Sequence, residues 1–144
     1  MTQSRPVHPD FLSLLKFKEK GVIELFLDLR MFILDLYPEC NELLYHTHAL
    51  TAVFSVSDKL GDAYCMIPIY TGHMNLGFNK GTLLKDQQGL LKGTGNLIRH
   101  IPVSQPADYR NMQVKLLVKE AINFAVNATG KSIKIKGSTI SKIK

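Results

Sequence analysis

The stretch that decides the fold runs from residue 73 to residue 100. It opens with His73-Met74-Asn75-Leu76-Gly77-Phe78 and closes with Gly93-Thr94-Gly95-Asn96-Leu97-Ile98-Arg99-His100. Glycines separate its two short apolar runs, and glycine permits tight turns because it adopts backbone conformations that other residues avoid. The pattern predicts a strand over residues 74 to 78, a loop rich in turns, and a returning strand over about 97 to 103.

Alternating apolar residues before this stretch extend the same pattern. Strand-like runs begin near residue 43, at residue 50 and at residue 63, and a turn sequence over 58 to 62 separates the last two. Pro68 has no amide hydrogen to donate, so it indicates an edge position or a bulge in the third strand. Five short strands joined by short connections predict an antiparallel sheet.

Helical patterns flank the strands at both ends of the chain. Pro9 begins a short helix, and residues 22 to 36 repeat apolar side chains along one helical face until Pro38 ends the segment. Pro106 is expected to begin the last helix, and Gly130 is expected to end it. The sequence therefore predicts an α+β fold, in which a sheet of about five strands packs against N-terminal and C-terminal helices.

Length and composition indicate one domain with a basic end. The chain has 144 residues, of which 45% are hydrophobic and 21% are charged, as in ordinary globular proteins. We expect a single domain over residues 1 to 130. Residues 131 to 144 are expected to form either a solvated tail or an extra strand, because Ile133 and Ile135 alternate with lysines there.

Charge, apolar runs and cysteines bound the location and the partners. Residues 1 to 42 contain five Lys/Arg against seven Asp/Glu, whereas residues 43 to 144 contain thirteen against five. No apolar run reaches the roughly 18 residues of a membrane helix, and the N-terminus lacks the pattern of a signal peptide. We therefore expect a cytoplasmic protein with no membrane partner. Cys40 and Cys65 are predicted to be buried thiols.

Many residues between about positions 25 and 127 match one known family. They are Tyr45, Asp62-Ala63, Cys65, Tyr70, His73-Met74-Asn75-Leu76-Gly77-Phe78, Gly81, Leu84, Gly89-Leu90-Leu91, Gly93, Gly95, Arg99, His100 and Ile101. On these residues the chain resembles the YdhG-like family, catalogued as domain of unknown function 1801. The resemblance implies a small cytoplasmic α+β protein with a strongly bent antiparallel sheet packed on helices. One branch is described as frataxin-like, so the resemblance also implies an iron chaperone, without supplying an iron-ligand motif.

Two sets of side chains are candidates for a metal site. Glu24, Asp28 and Asp35 fall within a narrow arc of the second helix, and carboxylate oxygens suit hard cations such as iron. His46 and His48 would share one face of a strand at chelating distance. The alternative for both sets is an ordinary solvated surface.

The glycine-rich stretch supplies the candidates for binding a small ligand: His73, Asn75, Lys92, Arg99 and His100. Backbone amides around residues 93 to 95, beside Lys92 and Arg99, would form a nest for an anion. The alternative is that the glycines serve only the turns and the close approach of backbones.

These candidates predict a broad class of function rather than a specific activity. The sequence shows no nucleophile paired with a base and no pair of carboxylates in the sheet region, so we expect no enzymatic activity. The leading prediction is a non-catalytic protein that binds a small ligand or a metal ion, with iron as the form that the resemblance suggests. The alternative is a module that binds nucleic acid or a protein partner through the basic C-terminal half. Homodimer formation is left open.

Overall fold

The computed structural model describes residues 5 to 130 and 136 to 144. In these residues three helices and six strands form an α+β fold, which confirms the predicted class. The helices are α1 (Pro9–Leu15), α2 (Lys20–Leu36) and α3 (Met112–Thr129). The strands are β1 (Asn41–His46), β2 (Leu50–Ser55), β3 (Ala63–Ile69), β4 (Met74–Phe78), β5 (Arg99–Val103) and β6 (Thr139–Ser141).

The six strands form one mixed sheet in the order β5-β4-β3-β2-β1-β6. Strands β1 to β5 pair antiparallel with their sequence neighbours, as the short connections predict. The predicted sheet had about five antiparallel strands and did not include β6. This sixth strand lies parallel to β1, with Ile140 beside Leu43. Ile133 and Ile135, where the sequence suggested an extra strand, lie outside the described residues.

Pro68 marks a place where the prediction from sequence was wrong. The proline was expected to lie at a sheet edge or a bulge, yet β3 is an interior strand between β2 and β4. The ladder from β3 to β4 pairs Met66 with Gly77 and Ile69 with Met74, and it has no pair between these two. Because proline has no N–H to donate, the interior strand accommodates Pro68 by losing a short section of one ladder.

The helix ends follow local chemistry, with one correction. Pro106 begins only a short 3-10 helix (Pro106–Asp108), and α3 starts later because Asn111 caps it, its side-chain oxygen accepting from the Val114 amide at 2.9 Å. Gly130 ends α3 with a φ of 62°, as predicted. Among the described residues, no helix combines the length and the apolar character needed to cross a membrane.

The helices cover one face of the sheet, which we call the packed face. Residues opposite each other in a ladder point to the same side, so Leu76 and Ile101 share this face with Phe54 and its neighbours. Phe26, from α2, belongs to the same buried cluster. The core therefore lies between the helices and this side of the sheet.

The other side of the sheet holds a second, smaller apolar cluster made only of strand residues within the described chain. We call this side the open face. Val53 and Leu43 are buried at its centre by their own strand neighbours. The outward strand positions that define the open face are Leu43, Tyr45, Thr51, Val53, Met66, Pro68, Asn75, Gly77, His100, Pro102 and Ile140.

Candidate functional site

Lys92 and His100 lie side by side on the open face. Their backbones form an antiparallel bridge, with the Lys92 amide 2.7 Å from the His100 oxygen and the His100 amide 3.0 Å from the Lys92 oxygen. His100 in turn lies opposite Gly77, and Gly77 lies opposite Met66. These pairs make one row across the edge of the sheet, because directly opposed residues share a face.

Asn75 and His73 extend this surface towards the hairpin that joins β3 and β4. Asn75 lies opposite Pro102 and is half-buried. His73 faces Tyr70 across the hairpin, with the Tyr70 amide 2.8 Å from the His73 oxygen. The two rings are stacked, their centroids 4.7 Å apart at 20°. By the two-residue period of a strand, this pair lies on the same side as Asn75.

Gly77 lets the side chain of Met66 pack directly against the backbone of β4. A Cβ atom there would lie 2.8 Å from Cγ of Met66, so only glycine lets the methionine side chain lie across β4. The Met66 sulfur accepts a weak hydrogen bond from Asn79 Nδ2 at 3.8 Å. Asn79 is 8% exposed, and its Oδ1 has no partner among the described residues. An unpaired buried acceptor lowers the stability of the fold.

The open face has a lysine at each of its two edges and no acidic residue at its outward strand positions. None of the outward strand positions that define it is Asp or Glu. Lys92 extends one of its rows, and Lys142 directly follows β6, where its backbone amide lies 2.8 Å from the Leu44 oxygen. Each imidazole of His73 and His100 has at least one N–H donor. The surface can therefore attract and hydrogen-bond an anion.

Arg99 does not join this group. It lies opposite Phe78, so its Cβ points towards the packed face, and its Nε donates to the Gly95 carbonyl at 3.1 Å. Gly81 allows this arrangement, since a Cβ there would lie 2.6 Å from Cβ of Arg99. The structure thus places four of the five ligand candidates on one face of the sheet. The side chain of the fifth, Arg99, is instead held by a carbonyl of its own loop.

Asp28, at the centre of the predicted acidic stripe, is already paired. It accepts hydrogen bonds from the hydroxyl of Tyr109 and from Arg110, whose Nε lies 2.8 Å from Oδ2 and whose second nitrogen lies 3.1 Å from Oδ1. The hydrogen bonds from Arg110 hold the pKa of Asp28 below its usual value. The carboxylate therefore joins α2 to the start of α3.

The other two acids of the stripe are at the surface. Glu24 lies 3.9 Å from the Lys20 ammonium in an exposed pair, and Asp35 is exposed near Arg110. Across residues 5 to 130 and 136 to 144, no group of three or more His, Cys, Asp or Glu side chains is placed to hold a metal ion. Iron binding at the stripe stays a prediction, and it would require Asp28 to leave Arg110.

The two histidines of the proposed chelating pair do not share a strand. His46 is the last residue of β1, whereas His48 lies in the loop that joins β1 and β2, and both are exposed. The prediction of one shared strand face was wrong because the hairpin loop begins directly after His46.

The two cysteines are buried and free, as predicted. Burial raises the pKa of both thiols, that of Cys65 well above its ordinary value. Cys65 points to the packed face, so the sheet separates it from His73 and His100 on the open face. These histidines are therefore not placed to activate it as a nucleophile.

A buried polar network near β1 was missed at the sequence level. Arg30 donates to both carboxylate oxygens of Glu42, at 2.7 and 2.9 Å, and to the Arg5 carbonyl at 2.8 Å. Thr139 on β6 donates its hydroxyl to the same carboxylate at 3.0 Å. One signal was present: Arg30 lies four residues after Phe26, in the apolar stripe of α2, where an arginine needs a buried partner.

A crevice beside α3 lies away from the open face. A crevice of about 340 Å³, including the solvent at its mouth, runs between α3 and the start of β3. Tyr64, Ala121 and Ala125 are among its walls, and it contains none of the predicted site residues. The ligand candidates of the glycine-rich stretch thus lie outside this crevice.

Comparison with known proteins adds no identity to this surface: no family model, no curated protein and no solved structure matches the chain.

Proposed function

We propose that the protein is a non-catalytic binding protein and that its open face takes an anionic ligand. The observation that carries this proposal is the chemistry of the surface, where Lys92 and Lys142 accompany His73 and His100 and no outward strand position is acidic. Basic groups with no neighbouring carboxylate attract anions, and the attraction is strongest at low salt.

The absence of internal partners favours a ligand over a structural role. Lys92 is exposed, and no side chain of the described residues forms an ion pair with it. Lys142 is likewise exposed, and only its backbone amide is fixed, at 2.8 Å from the Leu44 oxygen. Their charges are therefore available to a molecule that approaches the sheet.

A binding role fits the open surface better than catalysis does. Neither thiol is placed beside the histidines of this surface, since both cysteines belong to the buried core on the other side of the sheet. The resemblance to the YdhG-like family is consistent with a protein without enzymatic activity. Membership of that family and a cytoplasmic location are part of the same proposal.

Titration with tripolyphosphate, followed by amide NMR signals, tests the proposal. We expect saturable shifts of the amides of His73, Asn75, Lys92 and His100 at low salt, and weaker binding as salt rises because the charges are exposed. The double variant Lys92→Gln/Lys142→Gln should lose most of the response.

The matched control is Lys16→Gln/Lys119→Gln, which removes the same charge from exposed positions on α3 and at the end of α1. This variant should bind as the wild type does. Absence of shifts on the open face, or an equal loss in both double variants, would contradict the proposal.

A further inference from the structure

We infer that the anion bound by the open face is a single-stranded nucleic acid, an inference that rests on the proposed function. A simple polyanion needs only the lysines. The open face adds ring side chains and amide groups to those charges, and this combination is what single strands use when their bases are unstacked and accessible.

Tyr70 and His73 supply a flat platform at one end of the surface. Their rings are stacked on each other, and both residues are exposed to solvent, Tyr70 by 37%. Stacking between side chains leaves an outer ring face free, and every base has a face that can stack on it. The platform therefore accepts a base without reading its sequence.

Two further rings lie at distances that suit a strand of several nucleotides. His100 lies opposite Gly77, four residues along β4 from His73, which is roughly 14 Å at the rise of a strand. Tyr45 lies on β1, three strands from β4, or roughly 14 Å at the usual strand spacing. The rings thus surround the surface rather than meeting at one point.

Each of these two rings has a lysine beside it. Lys92 is bridged to His100, and the backbone amide of Lys142 lies 2.8 Å from the oxygen of Leu44, the residue before Tyr45. A base that stacks on either ring brings its phosphate close to an ammonium group. Contacts of this kind supply most of the affinity and make it depend on salt. The pairing of ring and cation is what distinguishes a nucleic acid from a free phosphate as the occupant.

Amide groups between the rings can bond to the edges of bases. Asn75 presents both donors and an acceptor, and it lies opposite Pro102, whose ring is apolar and has no N–H. A duplex would not use these groups, because its base faces are stacked inside the helix.

A second copy of the chain is a weaker candidate for the same surface. Two open faces in contact would bring Lys92 and Lys142 of one copy close to those of the other, with no outward strand carboxylate to balance them. Like charges brought together disfavour such a dimer. Light scattering of the free protein should therefore report a monomer, and a dimer that the open-face lysine variants abolish would overturn the inference.

Fluorescence anisotropy with a labelled 12-nucleotide oligouridylate provides the decisive test. We expect binding at low salt, with unlabelled single strands competing better than heparin or a duplex of equal length. Tyr70→Leu should weaken binding by about fivefold or more, as loss of one stacked base does. Lys92→Gln/Lys142→Gln should reduce the slope of log affinity against log salt by about one unit or more.

Phe17→Leu is the matched control, since Phe17 is a ring of 79% exposure next to α1, away from the sheet. It should bind as the wild type does. Binding of tripolyphosphate and heparin with no preference for single strands, and no effect of Tyr70→Leu, would overturn this inference and leave the anion-binding proposal intact. Absence of binding to every polyanion would overturn both. His100→Leu is a second ring variant, to be used if Tyr70→Leu does not fold.

Discussion

The charged groups around α2 and those of the open face have different surroundings. Arg30 and Glu42 have side chains that are only 5% and 2% exposed, and two hydrogen bonds join them. Lys92 and Lys142 are exposed, and no ion pair within the described residues includes them. The charges near α2 hold the fold together, whereas the charges of the open face do not.

This difference changes how the charge distribution of the chain is interpreted. The first 42 residues are net acidic, and three of their carboxylates, on one side of α2, were the candidates for a metal site. In the structure, Glu42 and Asp28 from that region are each bound by an arginine. The basic excess of the later residues is different, because part of it lies unpaired on one sheet face. The proposed binding surface therefore rests on unpaired charges rather than on net charge.

The largest expected effect is the loss of stability when one partner of the buried pair is removed. Glu42→Gln should lower the free energy of unfolding by about 3 to 5 kcal/mol, because it leaves the Arg30 charge buried without a counter-charge. Urea denaturation measures this. The double variant Arg30→Met/Glu42→Leu should be much closer to the wild type. A cost below about 1 kcal/mol for the single change would mean that the pair is not buried in solution.

A smaller effect is expected at the exposed ion pair of the same helix. The side chains of Asp28 and Arg110 are 38% and 41% exposed, so Asp28→Asn should cost about 1 kcal/mol or less. Since the pKa of folded Asp28 is lowered, its contribution should be present above the unfolded value of 3.8 and lost as pH falls through the folded value. Urea denaturation between about pH 2 and 6 should show this loss in the wild type and not in Asp28→Asn.

A third prediction concerns the acidic stripe of α2, where the expected change is in the affinity for iron and not in stability. Any ferrous ion that uses Asp28 must displace Arg110, so Arg110→Ala should bind iron more tightly than the wild type. Calorimetry, together with amide signals near Glu24 and Asp28, measures the response. Equal responses in the two proteins would show that the stripe is not the iron site, and no response at millimolar iron would remove the iron hypothesis.

The smallest effect on stability is expected on the open face itself. Lys92→Gln and Lys142→Gln should each change the free energy of unfolding by no more than about 0.5 kcal/mol, because neither side chain has an internal partner. Urea denaturation checks this alongside the binding assays. A destabilisation as large as that of Asp28→Asn would show that the lysines stabilise the fold. The two regions would then not differ in this respect.

Prediction from sequence was most reliable where the signal is local. Strand β4 has the predicted bounds, and Gly130 ends the last helix, because alternation and a glycine cap depend on neighbouring residues only. The start of α3 was misplaced because Pro106 and Asn111 both favour a helix start, and Asn111 supplies the cap. For the candidate site, the sequence predicted residues within one short stretch. It did not predict which side of the sheet each side chain occupies.

The sequence by itself determined the α+β class, the order of the elements from α1 to β5, and the burial of the two cysteines. These follow from periodicity and composition, which report whether a residue faces a core but not which residue it meets. The tertiary structure alone decided that β6 lies parallel to β1, that Arg30 finds Glu42, and that Arg99 is separated from His73 and His100. Those outcomes depend on strand register, which brings distant parts of the chain together and assigns each side chain to one side of the sheet.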